Sequence, residues 1–169
     1  FVSARAVATL DQLSGGRFEY GVGAGWLEQE WIAAGLDFAS RGRRVDEILE
    51  VSQRLWTEAT IEHHGEFFDF DAVAFEPKPM QSPWPPILVG GENEAALRRA
   101  ARWGDGWIGM KHTFATAASP IERLQTMRHG AGRADRRGDL AALSKGWCAN
   151  RTLQGHGAAH NSSGGCGCP

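Results

Sequence analysis

The sequence has little cysteine, and none where a fold would need it. Its three cysteines, Cys148, Cys166 and Cys168, all fall in the last fifth of 169 residues, so no disulfide framework supports the body of the chain. No apolar run approaches the roughly 20 residues that span a bilayer. No charged segment with a cleavable apolar core follows Phe1. An excess of one charge is missing too: 18 Lys and Arg stand against 20 Asp and Glu, for a net charge of −2. Nothing electrostatic therefore calls for nucleic acid or an anionic membrane as partner. These absences suit a cytoplasmic protein. What is present is ordinary for a globular domain, with 42% hydrophobic and 22% charged residues in a length that fits one domain. A chain that opens on Phe1 and falls at once into a helical pattern reads as a fragment of something longer.

The periodicity predicts alternating helices and strands. Residues 2–13 read as a helix whose apolar face carries Val2, Ala6, Val7, Leu10 and Leu13, stopped by Ser14-Gly15-Gly16. Arg17 to Val22 reads as a strand running into Gly21-Val22-Gly23-Ala24-Gly25-Trp26. A short helix follows near Glu28 to Ala34, then a long one from Arg41 to Thr57 with Val45, Ile48, Leu49, Ser52, Leu55 and Trp56 on one face. Ile61 to Phe70 reads as a hairpin turning at Gly65. The prolines of Lys78-Pro79 and Pro83-Trp84-Pro85-Pro86 impose extended backbone. Ile87-Leu88-Val89 is a short apolar strand of the buried parallel type. Asn93 caps a helix from Glu94 to Arg102, Asp105 to Ile108 is another strand, and Ser119-Pro120-Ile121-Glu122 reads as the start of a further helix. The order indicates an α/β fold with parallel strands.

Two strand ends carry glycines in a way that suits a ligand. Gly21-x-Gly23-x-Gly25 leaves backbone open to close approach, and its spacing departs from the dinucleotide pattern because the third glycine comes one residue early. A glycine turn without a ligand is the alternative. Gly90-Gly91-Glu92-Asn93 joins a buried strand to a helix N-terminus, the arrangement that holds a phosphate or another anionic arm; the alternative is a plain loop with Asn93 as a cap. Asp105-Gly106-Trp107 offers a ring to wall a flat ligand, or equally a core tryptophan. Arg41, Arg43 and Arg44 offer a phosphate contact, or a solvated face paired with Asp46 and Glu47. His63 and His64 are adjacent on a strand and point to opposite faces, which is poor metal geometry. His112 follows a strand end without an identifiable partner. His156, His160, Cys166 and Cys168 have zinc-like spacing but sit in a glycine-rich tail, and no metal is assigned to them.

Taken together, these segments resemble the luciferase-like monooxygenase family, most closely its F420-dependent branch. They are Leu10 to Glu19, Gly21 to Trp26, Arg41 to Glu47, His64 to Phe68, Pro77 to Pro79, Pro86 to Gly91 and Gly104 to Trp107. The resemblance covers residues 1–130; residues 131–169 read as a non-family tail, disordered or out of frame. It implies a partial TIM-type (β/α)8 barrel that starts near the third helix and lacks the first strands. It implies coenzyme F420, with FMN as the alternative, and a small-molecule organic substrate. Ala24, Gly25 and Trp26 would line the cofactor pocket, Gly90, Gly91, Glu92 and Asn93 would hold its phosphate-bearing arm, and Arg43 matches a phosphate-contacting position of flavin-using relatives. The reaction implied is hydride transfer from reduced F420, or oxygen insertion with reduced FMN. A homodimer of the full-length parent is expected. No catalytic residue carries over, because the strands that supply them in the family are expected to be absent. The reading from another class is a truncated barrel without activity.

Overall fold

The computed structural model describes residues 1–110 and 112–130. The tail from 131, with its cysteines and its His156 and His160, lies outside the described residues. Helix α1 (Val2–Ser14) leads to strand β1 (Tyr20–Val22), then α2 (Glu28–Ala33), a 3-10 turn at Phe38–Ser40 and the long α3 (Arg41–Thr57). An antiparallel hairpin of β2 (Thr60–His64) and β3 (Asp69–Ala74) follows. Then come β4 (Ile87–Gly90), α4 (Glu94–Trp103), β5 (Gly106–Ile108) and α5 (Phe114–Gly130). Strands β1, β4 and β5 form a parallel sheet in that order, with Tyr20 beside Ile87, Val22 beside Val89, and Gly90 beside Ile108. This is the strand–helix repeat of an α/β barrel, interrupted by one hairpin, as the sequence predicts.

The core lies between the sheet and its helices. Ile87, Val89 and Trp107 of the strands pack with Leu49, Leu55, Leu97 and Leu124 of the helices, all essentially inaccessible to water. Removing such surface from water is the main favourable term in folding, about 25 cal/mol per Å². Several polar groups that enter this layer are paired, although the Trp103 indole nitrogen finds no hydrogen-bond partner among the described residues. The Trp56 indole donates to the Ala4 carbonyl at 3.1 Å, and buried Asp11 accepts from the Gln81 amide at 2.8 Å and its side chain at 2.7 Å. Asp105 sits at the start of β5, where its carboxylate accepts from the Ile87 N–H and the Trp84 indole and so joins β5 to β4. It therefore serves the end of the sheet opposite the glycine-bearing strand ends.

Three expectations are corrected. The buried face of α1 is Ala4, Val7, Ala8 and Asp11, while Val2, Leu10 and Leu13 are exposed, Leu13 by 80%. A three-residue spacing drifts around a helix of 3.6 residues per turn, and the face that turns inward carries the small Ala4 and Ala8, with the Ala4 carbonyl accepting from the Trp56 indole of α3. Helix α5 begins at Phe114, not at Ser119, and Pro120 lies inside it. The box that starts it is Thr113 and Thr116: the Thr116 hydroxyl accepts from the Thr113 N–H at 2.8 Å and the Thr113 hydroxyl accepts from the Thr116 N–H at 3.3 Å. Strand β1 is confined to three residues, because only Tyr20 to Val22 find a partner on β4. At the end of α1 the expectation holds: Gly15 takes the left-handed conformation (φ 64°), and the Gly15 and Gly16 N–H groups donate to the Gln12 and Asp11 carbonyls.

Candidate cofactor site at the strand ends

Because β1 and β4 are parallel neighbours in register, their two glycine motifs end side by side. A methyl placed on Gly23 would lie 3.8 Å from the Gly90 carbonyl oxygen, and one placed on Gly90 would lie 3.6 Å from that of Val22. Ala24, Gly25 and Trp26 leave β1 at this rim. Gly25 has φ 73° and a methyl there would press within 3.1 Å of the Trp31 indole nitrogen. Trp26 is 84% exposed.

Gly91 is held from two sides. Its N–H donates to the Ile108 carbonyl at 3.3 Å, and its own carbonyl accepts from the Trp107 indole at 2.7 Å. It has φ 133°, and a methyl on it would stand 2.7 Å from the Ala96 side chain, so the bend from β4 into α4 requires glycine. Asn93 then caps α4: its side-chain oxygen accepts from the Ala96 N–H at 2.8 Å. The N–H groups of Glu94 and Ala95 have no carbonyl one turn back to bond, and they carry the positive end of the helix dipole. A bare glycine bend ahead of free helix N–H groups fits the phosphate-bearing arm of a cofactor.

Glu92 is placed differently from its neighbours. Its carboxylate accepts from the Met110 N–H and stands 2.6 Å from Nε2 of His112, so it bridges the loop after β4 to the loop after β5. The His112 ring packs on Trp107 at 5.3 Å between centroids, where Gly109 leaves the room. Trp107 is 1% exposed. It is a core residue that supports the rim from below and has no open face to wall a ligand.

Arg43 is not brought to this rim. Its guanidinium binds the Glu66 carboxylate of the hairpin turn at 2.8 Å, which holds its proton more tightly than an ordinary arginine's. The cleft it lines contains Glu47, His63, Glu66, Arg102 and Trp103 and none of the rim residues. The pairing read from sequence is also redistributed. Asp46 binds Arg99 at 2.7 Å, Arg41 stacks on Phe38 and Arg44 on Phe67. Glu47 is largely covered by the hairpin, where it accepts from the N–H groups of Phe67 and Phe68 and pairs with His63 at 3.0 Å. His64 pairs separately with Asp69 at 2.6 Å, and among the described residues no cluster of metal-ligating side chains forms. What sequence reasoning missed was the Glu92–His112 bridge, since 20 residues and a whole helix separate the partners.

Comparison with known proteins agrees with this architecture. The luciferase-like monooxygenase family matches residues 1–151. An uncharacterised protein of Mycobacterium tuberculosis (strain H37Rv) is 38% identical over 130 residues, 77% of this chain and 44% of the relative. The FMNH2-dependent dimethylsulfone monooxygenase of Pseudomonas putida is 36% identical over 110 residues, 63% of this chain and 30% of the relative. The solved structure of an F420-dependent secondary alcohol dehydrogenase superposes with a TM-score of 0.69 at 21% identity, covering 85% of this chain and 43% of that one, and so shares the fold. The chain thus spans less than half the length of these relatives. With three parallel strands ending in a common glycine rim, an inserted hairpin and a family match over most of its length, the chain belongs to the luciferase-like monooxygenase family of oxidoreductases.

Proposed function

We propose that this chain supplies the arm-binding part of a site for reduced coenzyme F420 in an oxidoreductase acting on a small organic substrate. The observation that carries the reading is the shared rim, where Gly23 and Gly90 stand side by side ahead of the free first-turn N–H groups of α4. Gly90 and Gly91 let an anionic arm approach the backbone, the Glu94 and Ala95 N–H groups receive it, and Asn93 holds the helix start in place. Ala24, Gly25 and Trp26 form the adjoining wall, with the exposed Trp26 indole offering an apolar face to a ring. The cofactor, when bound, supplies the hydride. The chain's part is to bind and orient it.

A second reading takes reduced FMN as the cofactor and oxygen insertion as the reaction. It is favoured by the FMNH2-dependent monooxygenase activity of the Pseudomonas putida relative. Both cofactors present a phosphate on a flexible arm, and the rim suits either. Fluorescence titration separates them. Quenching of F420 with saturation, and no change with FMN, supports the first reading. Saturable binding of FMN alone overturns it in favour of the second, and binding of neither overturns both.

A further inference from the structure

The rim contains a carboxylate that an anion-binding loop has no use for. Glu92 lies between Gly91 and the cap Asn93, where a free negative charge would oppose the arm the loop is suited to hold. Its two oxygens are instead engaged by the Met110 N–H and by Nε2 of His112, on the loop after β5. The imidazole is further fixed by the Trp107 ring, and the Trp107 indole in turn holds the Gly91 carbonyl. Gly109 admits this packing, since a methyl there would overlap Trp107 and come within 2.8 Å of the His112 ring. The His112 side chain is 18% exposed and Glu92 44% exposed. Nδ1 of His112 makes no hydrogen bond among the described residues.

We propose that Glu92 is a positioning residue and that His112 is a ligand-recognition residue of the same rim. A carboxylate at Nε2 fixes the neutral imidazole with its proton on that nitrogen. Nδ1 is then an acceptor at the C-terminal end of β5, the end at which α/β barrels bind their ligands. An acceptor there takes a hydroxyl group, either of the cofactor's sugar-like chain or of an alcohol substrate. The assignment rests on the cofactor reading above. It departs from the sequence-based expectation that Glu92 itself touches the arm.

Two-bond proton–nitrogen correlation spectra of the labelled chain test it, at about pH 8 where an ordinary histidine is neutral; His112→Asn assigns the signals. The expected result is a single tautomer protonated on Nε2 in the native chain. That preference relaxes to the ordinary tautomer mixture in Glu92→Ala and reverses in Glu92→Gln, whose single acceptor oxygen stays with the Met110 N–H and turns its NH2 toward Nε2. A native ring protonated on Nδ1, or a Glu92→Ala spectrum identical to the native one, overturns the proposal. Saturating F420 or FMN is then expected to move the Nδ1 resonance. Lumiflavin, which lacks the hydroxylated chain, separates the two sources of hydroxyl. A shift with FMN but not lumiflavin assigns the hydroxyl to the cofactor, and a shift with 2-propanol alone assigns it to substrate. Binding seen by fluorescence with no movement of Nδ1 in any arm overturns the recognition role and leaves the cofactor reading intact. Absence of any binding removes the cofactor reading itself.

Discussion

Two histidine–glutamate pairs use the same hydrogen bond in this chain, 3.0 Å between His63 and Glu47 and 2.6 Å between His112 and Glu92, in opposite surroundings. The first joins α3 to the hairpin. Both side chains are only 10% exposed, and the Glu47 carboxylate is saturated by the Phe67 and Phe68 N–H groups as well as by His63. Gly65 closes over it so tightly that a methyl there would overlap both partners. The second bridges two loops at the strand ends and leaves Nδ1 of the imidazole without a hydrogen bond among the described residues. The chemistry is shared, and the number of groups the carboxylate satisfies separates a fastening from a site. A saturated, largely buried acceptor stabilises the fold, whereas a half-engaged pair on the glycine rim has capacity left for something else.

The largest expected effect breaks the fastening. Glu47→Ala would strand two backbone donors and a histidine in a mostly buried turn and is expected to cost about 3 kcal/mol, read as a lower urea midpoint. A loss below about 1 kcal/mol would show the turn to be held by other contacts. The pH dependence sharpens the same point. Burial pushes the Glu47 carboxyl up, but the hydrogen bonds from Phe68, His63 and Phe67 outweigh it, and the group titrates below its usual 4.5. Because the folded value is depressed, its contribution is present above that ordinary value and is lost as pH falls through the folded one. Denaturation curves between pH 6 and pH 3 should therefore show a steeper loss of stability in the native chain than in Glu47→Gln (limits about these values). Parallel losses would remove Glu47 as the source.

At the rim, Asn93→Ala removes the α4 cap and is expected to lower stability by about 1 kcal/mol, with a threefold or smaller loss of cofactor affinity, since the proposed site holds the arm through backbone N–H groups. The smallest effect is expected of Arg43→Ala. Its exposed pair with Glu66 should leave the urea midpoint unmoved, and cofactor affinity should change less than twofold. A tenfold loss of affinity would mean that the arm reaches across to the hairpin and displaces Glu66.

Much of the fold was legible from residue order because its signals are local. Apolar Ile87 to Val89 read as a buried strand, Asn93 as a cap and Gly15 as a helix stop, and each is found so. The errors came where a local signal competed with a tertiary one. Leu10 and Leu13 suggest the wrong face of α1 because half of its buried face is alanine, which weighs little in an apolar count. Ser119-Pro120 looks like a helix start because the Thr113–Thr116 box, whose cap lies six residues earlier, replaces the usual glutamate with threonine. At the candidate site, both glycine motifs were visible, while their adjacency was not, since it depends on the register of β1 against β4. Glu92 read as part of the arm-binding loop because nothing in a linear sequence connects it to His112.

The bend at Gly91 is the proposed seat of the cofactor arm. The direct test is fluorescence titration of F420, and separately of FMN, with the native chain and with Gly91→Ala, monitoring folding by circular dichroism in both. Saturable binding by the native chain is expected, with at least a tenfold loss in Gly91→Ala, whose added methyl would stand 2.7 Å from Ala96 and displace the bend. Equal affinity in the two folded proteins would contradict that role for the bend.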